Sequence, residues 1–218
     1  MTLSKRAIAE FGGTASLLVV VAGSGIMGES LAQGNAAIAL LANSLATGAG
    51  LYALIQSLGP VSGAHLNPAV SLVEFLSKKL NSREFLLYAS AQILGGIAGV
   101  ILTHAMFGQT LIQFSTHDRG ELRFFLSEIV ATFGLLAVVA LSGRRNADTT
   151  PSAVALYITA AYWCTSSTSF ANPAVTIARS LTDTFSGIGW TGVPGFVGAQ
   201  LVGAILAFQL ARFYAPKT

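Results

Sequence analysis

The sequence is short of charge. Only 10% of its 218 residues are Asp, Glu, Lys or Arg, against 53% hydrophobic, where a soluble domain carries about 25% charged residues. That scarcity excludes an ordinary water-facing surface. Cysteine is nearly missing too: Cys164 stands alone, so an internal disulfide and a multi-cysteine metal site are both excluded. There is no glycine-rich phosphate loop and no basic tract of the kind that binds nucleic acid. The apolar stretches hold no Ser paired with His or Lys, no paired Asp and no cluster of metal-ligating side chains. An intramembrane enzyme is therefore not expected.

What is present is apolar sequence in lengths that cross a bilayer, which takes about 20 residues of helix. Six spans are expected: Ala7–Met27, Ala36–Leu58, Phe85–Phe107, Leu122–Leu141, Pro151–Thr168 and Val193–Phe213. The first is too long for the apolar part of a signal peptide and lacks a small-residue cleavage site, so it is expected to stay as a span. Two further apolar segments, Asn67–Ser77 and Asn172–Asp183, are only half-length. As helices they reach about half of the ~30 Å hydrocarbon core.

The two short segments begin alike, with Asn-Pro-Ala-Val. Asn is a strong N-cap, and Pro suits the first helical position because its missing N–H would go unpaired anyway. Asn67, Pro68 and Ala69, and again Asn172, Pro173 and Ala174, should each start a helix. The repeat extends further. Ala9-Glu10-Phe11-Gly12-Gly13-Thr14 aligns with Ser127-Glu128-Ile129-Val130-Ala131-Thr132. One repeat covers about residues 5–107 and the other about 122–213, within a single domain spanning 1–218. Each repeat holds three spans, an odd number, so the two lie in the membrane with opposite orientation, a plan that channels and transporters share.

The short helices then enter from opposite faces and meet near the membrane centre. Each N-terminus carries roughly half a positive charge. Together they repel a cation about 5 Å away by roughly 3 kcal/mol at an effective dielectric near 20. The asparagine amides can donate hydrogen bonds to water or a neutral solute. Non-helical backbone at this depth survives only where it is buried in protein or lines a wet cavity. The stretches before the two motifs can therefore offer carbonyl acceptors along a pore. Basic residues set the orientation. Lys5, Arg6, Lys78, Lys79, Arg83, Arg144, Arg145, Arg212 and Lys217 fall on one side, and only Arg119, Arg123 and Arg179 on the other. The positive-inside rule places both termini in the cytoplasm, with the chain in the cell (inner) membrane.

Carried together, Ser62-Gly63-Ala64-His65-Leu66-Asn67-Pro68-Ala69-Val70 and Phe170-Ala171-Asn172-Pro173-Ala174 resemble the two pore loops of the aquaporin (major intrinsic protein) superfamily. Glu10 and Glu128 match the glutamates of its first and fourth spans. The resemblance covers nearly the whole chain. It implies an all-α membrane protein with six transmembrane helices and two half-helices in an inverted repeat. It also implies a homotetramer with one pore per subunit, no cofactor and no energy coupling. Glu10 and Glu128 are intramembrane carboxylates and so functional candidates by default. The resemblance gives them, with His65, the task of supporting the pore loops; a proton relay, or for His65 a pH gate, is the other reading.

The sequence departs from the family at one place. Most members follow the second Asn-Pro-Ala with arginine; here the residue is Val175, and Arg179 comes four residues later, where it need not reach the same constriction. Counting from the motifs, the other constriction positions fall on Thr47, Ala160 and Ser169, with Phe170 the alternative to Ser169. A ring of Thr, Ala, Ser and Val is small and uncharged. It is expected to pass neutral solutes larger than water: glycerol-sized polyols and undissociated metalloid acids such as arsenite. The sequence resembles the bacterial arsenic-handling members of the family. A water-selective pore and an ion-coupled secondary transporter are the alternatives, and a structural junction protein a further one. Gly95, Gly96 and Gly99 suggest close helix packing. His104 and His117 have no metal-ligand partner at suitable spacing.

Overall fold

The computed structural model describes residues 1–145 and 147–215, the side chains of Arg144, Arg145 and Ala147 excepted. Lys217, used above for the orientation, lies outside the described residues, as do the side chains of Arg144 and Arg145. Among the described residues there are eight α-helices and no strand. They are α1 (Leu3–Leu31), α2 (Ala36–Ser62), α3 (Pro68–Leu76), α4 (Ser82–Met106), α5 (Leu122–Arg145), α6 (Thr150–Cys164), α7 (Pro173–Arg179) and α8 (Val193–Phe213).

Local sequence sets the helix ends. Thr2 caps α1, Asn35 caps α2, and Asn81 with Glu84 forms a reciprocal capping box at α4, which satisfies donors that a helix start otherwise leaves open. Gly63 ends α2 with φ +91°, a left-handed conformation that glycine adopts without the Cβ clash. Among the described residues five helices, α1, α2, α4, α5 and α8, are long and apolar enough to cross a membrane. The sixth departs from the sequence expectation. A span was drawn over Pro151–Thr168, but α6 is 15 residues and stops at Cys164. At 1.5 Å per residue that is about 22 Å, short of the ~30 Å core. The residues drawn as its last turn belong instead to the loop that feeds α7.

The helices pack as two copies of one arrangement. In the first half α1 lies against α2 and α4; in the second α5 lies against α6 and α8. The halves join through α2 against α6, and each half-helix reaches across, α3 to α8 and α7 to α4. Close approach depends on small residues. A Cβ at Gly95 would run into the Phe11 carbonyl, and one at Gly99 into the Ala15 carbonyl, so α1 and α4 touch backbone to backbone. Gly203 does the same for α8 against Ile129 of α5. With no water in lipid to drive burial, such contacts are how membrane helices associate. The outward faces carry large apolar side chains, among them Leu45, Leu86, Leu94, Leu126 and Leu156, as a lipid-facing surface requires.

Candidate functional site

The two half-helices start as their sequences direct. The Asn67 side chain accepts from the Ala69 N–H at 2.8 Å, and the Asn172 side chain from the N–H groups of Ala174 at 3.0 Å and Val175 at 3.3 Å. Pro68 and Pro173 occupy the first helical positions. Before each asparagine the chain is forced into the left-handed region: Ala64, Leu66, Ser169 and Ala171 have φ between 46° and 53°. Each such non-glycine residue costs roughly 1–2 kcal/mol, so something must hold these loops in shape.

Two buried carboxylates do so. Glu10 accepts from the Ser62 hydroxyl at 2.6 Å, the N–H groups of His65 at 3.0 Å and Leu66 at 2.7 Å, and the Gln92 amide at 2.8 Å. Glu128 accepts from the N–H groups of Phe170 at 2.9 Å and Ala171 at 2.8 Å and from the Gln200 amide at 2.6 Å. Both are fully buried. Gln92 and Gln200 each pass a second bond onward to a half-helix, to Ser71 at 3.0 Å and Thr176 at 2.8 Å. Hydrogen bonds to a carboxylate are worth about twice a neutral one. These therefore offset loop strain and commit the carboxylates to the loops, and neither glutamate lines the central cavity.

The asparagines meet crosswise. The Asn67 amide donates to the Ala171 carbonyl, and the Asn172 amide to the Leu66 carbonyl, each at 2.8 Å. Each amide nitrogen has a second N–H, and both residues line a central cavity of about 110 Å³. One wall of that cavity is aliphatic, with Leu17, Val21, Leu51, Ile55 and Leu135. His65 also lines it and bonds Ser71 through Nδ1 at 3.0 Å.

The proposed constriction residues separate here. Thr47, Ser169 and Val175 all line the cavity and are nearly inaccessible. Ala160 does not: it is exposed on the outer side of α6. The α6 face turned to the cavity is Thr150, Val154, Ile158 and Tyr162, a four-residue spacing that repeats on one side of a helix. Ala160 sits midway between Ile158 and Tyr162 and points away. Counting back from the motif missed this because the loop between α6 and Asn172 is not helical. Tyr162 lines the cavity from that face, with its hydroxyl 3.1 Å from the Thr47 hydroxyl. Phe170, the alternative to Ser169, lines the cavity as well. The ring is thus neither all small nor uncharged, because Arg179 also lines the cavity. The signal was present in the sequence: residues four apart on a helix share a face, so Arg179 lies on the same face as Val175.

Residues 1–164 match the family described as Major intrinsic protein. The chain belongs to the major intrinsic protein family. It is 50% identical over 211 residues to the aquaglyceroporin AqpS of Rhizobium meliloti (strain 1021), an alignment covering 97% of this chain and 90% of that protein. It is 32% identical over 235 residues to the aquaporin AqpM of Methanothermobacter marburgensis, covering 95% and 96%. Among solved structures, the aquaglyceroporin from Plasmodium falciparum superposes with a TM-score of 0.78 over 98% of this chain and 96% of that one. At 22% identity that likeness speaks for the fold alone.

In this major intrinsic protein the cavity opens toward a vestibule at either end. A space of about 760 Å³ lies at the far end of α3, with Val70 and Val139 common to it and the cavity. At the other end a space of about 410 Å³ is walled by Asn43, His117, Arg119 and Phe124 among others. Equivalent loop positions differ in character between the halves. His65 sits edge-on to Tyr88 at 5.1 Å between ring centres, and Phe170 edge-on to Phe196 at the same distance. Sequence reasoning named neither Tyr162 nor the aromatic pairs.

Proposed function

We propose that this protein is a passive channel for small uncharged solutes: water, glycerol-sized polyols and undissociated metalloid acids such as arsenite. The observation that carries the reading is the central cavity. Its aliphatic lining suits the C–H face of a polyol, and the Asn67 and Asn172 amides and the Ser169 hydroxyl line it as well. A solute can exchange its water shell for that polar line, and an ion cannot recover its hydration energy from two amides and a hydroxyl. The 50% identity to a protein named an aquaglyceroporin supports polyols among the solutes.

Coupled transport is disfavoured because Glu10 and Glu128 are committed to the loops by the bonds described above. Tyr162, Phe170 and Arg179 crowd one end of the cavity, and this favours a water-selective pore as the second reading. In the membrane the chain is read as lying with both termini cytoplasmic and as assembling into a homotetramer with a pore in each subunit. The cavity lies inside a single chain, as that arrangement needs. Uptake into liposomes carrying the protein tests the proposal. Glycerol and arsenite should enter faster than into protein-free vesicles. Rapid water flux with neither solute entering would replace the wide-pore reading by the water-selective one.

A further inference from the structure

We infer that Arg179 is the residue that bars cations from this pore, standing in for the charge missing at position 175; the inference rests on the channel reading above. The central cavity and the outer vestibule have one lining residue in common, and it is Arg179. A particle passing from one space to the other therefore passes its guanidinium. The side chain is 2% exposed, yet among the described residues no ion pair includes it. Its side chain donates from Nε to the Ser186 carbonyl. Its charge centre lies 3.4 Å from the middle of the Phe170 ring. A buried arginine is usually neutralised by a carboxylate; this one is held in place by a carbonyl and an aromatic face, which fix its position and leave its charge uncancelled.

A second cation reinforces the first. Arg119 lies 5.2 Å from the centre of the same ring and donates to the Gly187 and Ser167 carbonyls at 3.1 Å each. It lines the outer vestibule only. The Arg179 guanidinium also brings N–H donors to a cavity where the buried Ser169 hydroxyl has no protein partner, so a neutral polyol finds hydrogen bonds where a cation finds repulsion. Phe170 and Ser186 act as positioning residues for the guanidinium.

The test uses the full chain in liposomes, with potassium and proton leak measured alongside water and glycerol flux. Arg179→Gln should raise cation leak by roughly a hundredfold, the factor expected for removing one charge about 5 Å away in a medium of intermediate dielectric. Glycerol flux read in the same vesicles shows that the variant is folded and conducts. Adding Val175→Arg to Arg179→Gln should restore tightness. Arg179→His compares one folded protein with itself: leak should be high near pH 8 and fall near pH 5.5 as the imidazole gains charge. A parent that passes glycerol with Arg179→Gln still tight to cations, or an Arg179→His leak that does not fall with pH, overturns the assignment and leaves the channel reading standing. A parent that passes neither water nor glycerol removes both.

Discussion

The two pore loops of this protein are built alike at their bases and differently at their tips. Glu10 with Gln92 and Ser71, and Glu128 with Gln200 and Thr176, hold the first and second loop by the same pattern of bonds. At the same distance from its asparagine, however, the first half-helix carries Glu74 and the second Arg179. Glu74 is partly exposed and pairs with Lys79 at 3.0 Å, so its charge is spent at the surface. Arg179 is buried against Phe170 and faces the passage. The comparison separates scaffold from selectivity: what the repeat preserves holds the backbone, and what it breaks gives the two ends of the pore different electrostatics.

Removing the preserved part should cost most. Glu128→Ala leaves the Phe170 and Ala171 N–H groups buried without their acceptor, at about 1–3 kcal/mol for each unsatisfied group. The expected result is a large drop in detergent-solubilised thermal stability, and Glu10→Ala should match it if the halves are equivalent. Glu128→Gln should lower folding or assembly yield more than it changes the ratio of glycerol to water flux. A parent that conducts protons, with a Glu128→Gln variant that folds normally and does not, would recast the carboxylate as a relay.

Next in size is the crossing of the asparagines. Asn172→Ala removes a cap worth about 1 kcal/mol and a bond to the Leu66 carbonyl worth a further ~1 kcal/mol. Asn67→Ala removes the same two features from the other half, so the two melting shifts should agree closely. The ring comes third. Tyr162→Ala should admit polyols longer than glycerol, whereas Ala160→Phe should leave glycerol flux near the parent value. Polyol size cut-offs in vesicles decide this, and a block by the Ala160 variant would return that residue to the pore wall.

The smallest effect is in the outer loops. The Thr116 backbone N–H and hydroxyl, 2.8 and 3.0 Å away, hold the exposed Asp183 carboxyl below its usual value. A depressed carboxyl stabilises its loop above the unfolded value near pH 3.9, and the contribution is lost as pH falls through the folded one. Protection of the Thr116 amide against hydrogen exchange should accordingly weaken only in acid below about pH 4. Asp183→Asn should remove the pH dependence.

Much of this was legible in the residues themselves. Hydropathy located all the long helices, and the repeated Asn-Pro-Ala fixed both short ones to their first residue, because capping is a local matter of one side chain and one proline. The ring was legible only in part. Val175 sits on the half-helix that the motif itself starts, so its place on α7 follows from the cap, and Thr47 lines the same cavity from α2. Ala160 failed because the count crossed a loop with left-handed residues at Thr168, Ser169 and Ala171, where the helical rise no longer applies. Arg179 was visible as a residue. Its four-residue step from Val175 put the two on one face; the Phe170 ring and the Ser186 carbonyl that hold its side chain come from outside the half-helix.

The most direct trial of the permeation path is glycerol efflux from vesicles down and then against its gradient, followed by light scattering. Downhill movement that stays proportional to concentration and halts at equality is the predicted behaviour. Accumulation against the gradient, or saturation at low concentration, would contradict an open passage between Asn67 and Asn172.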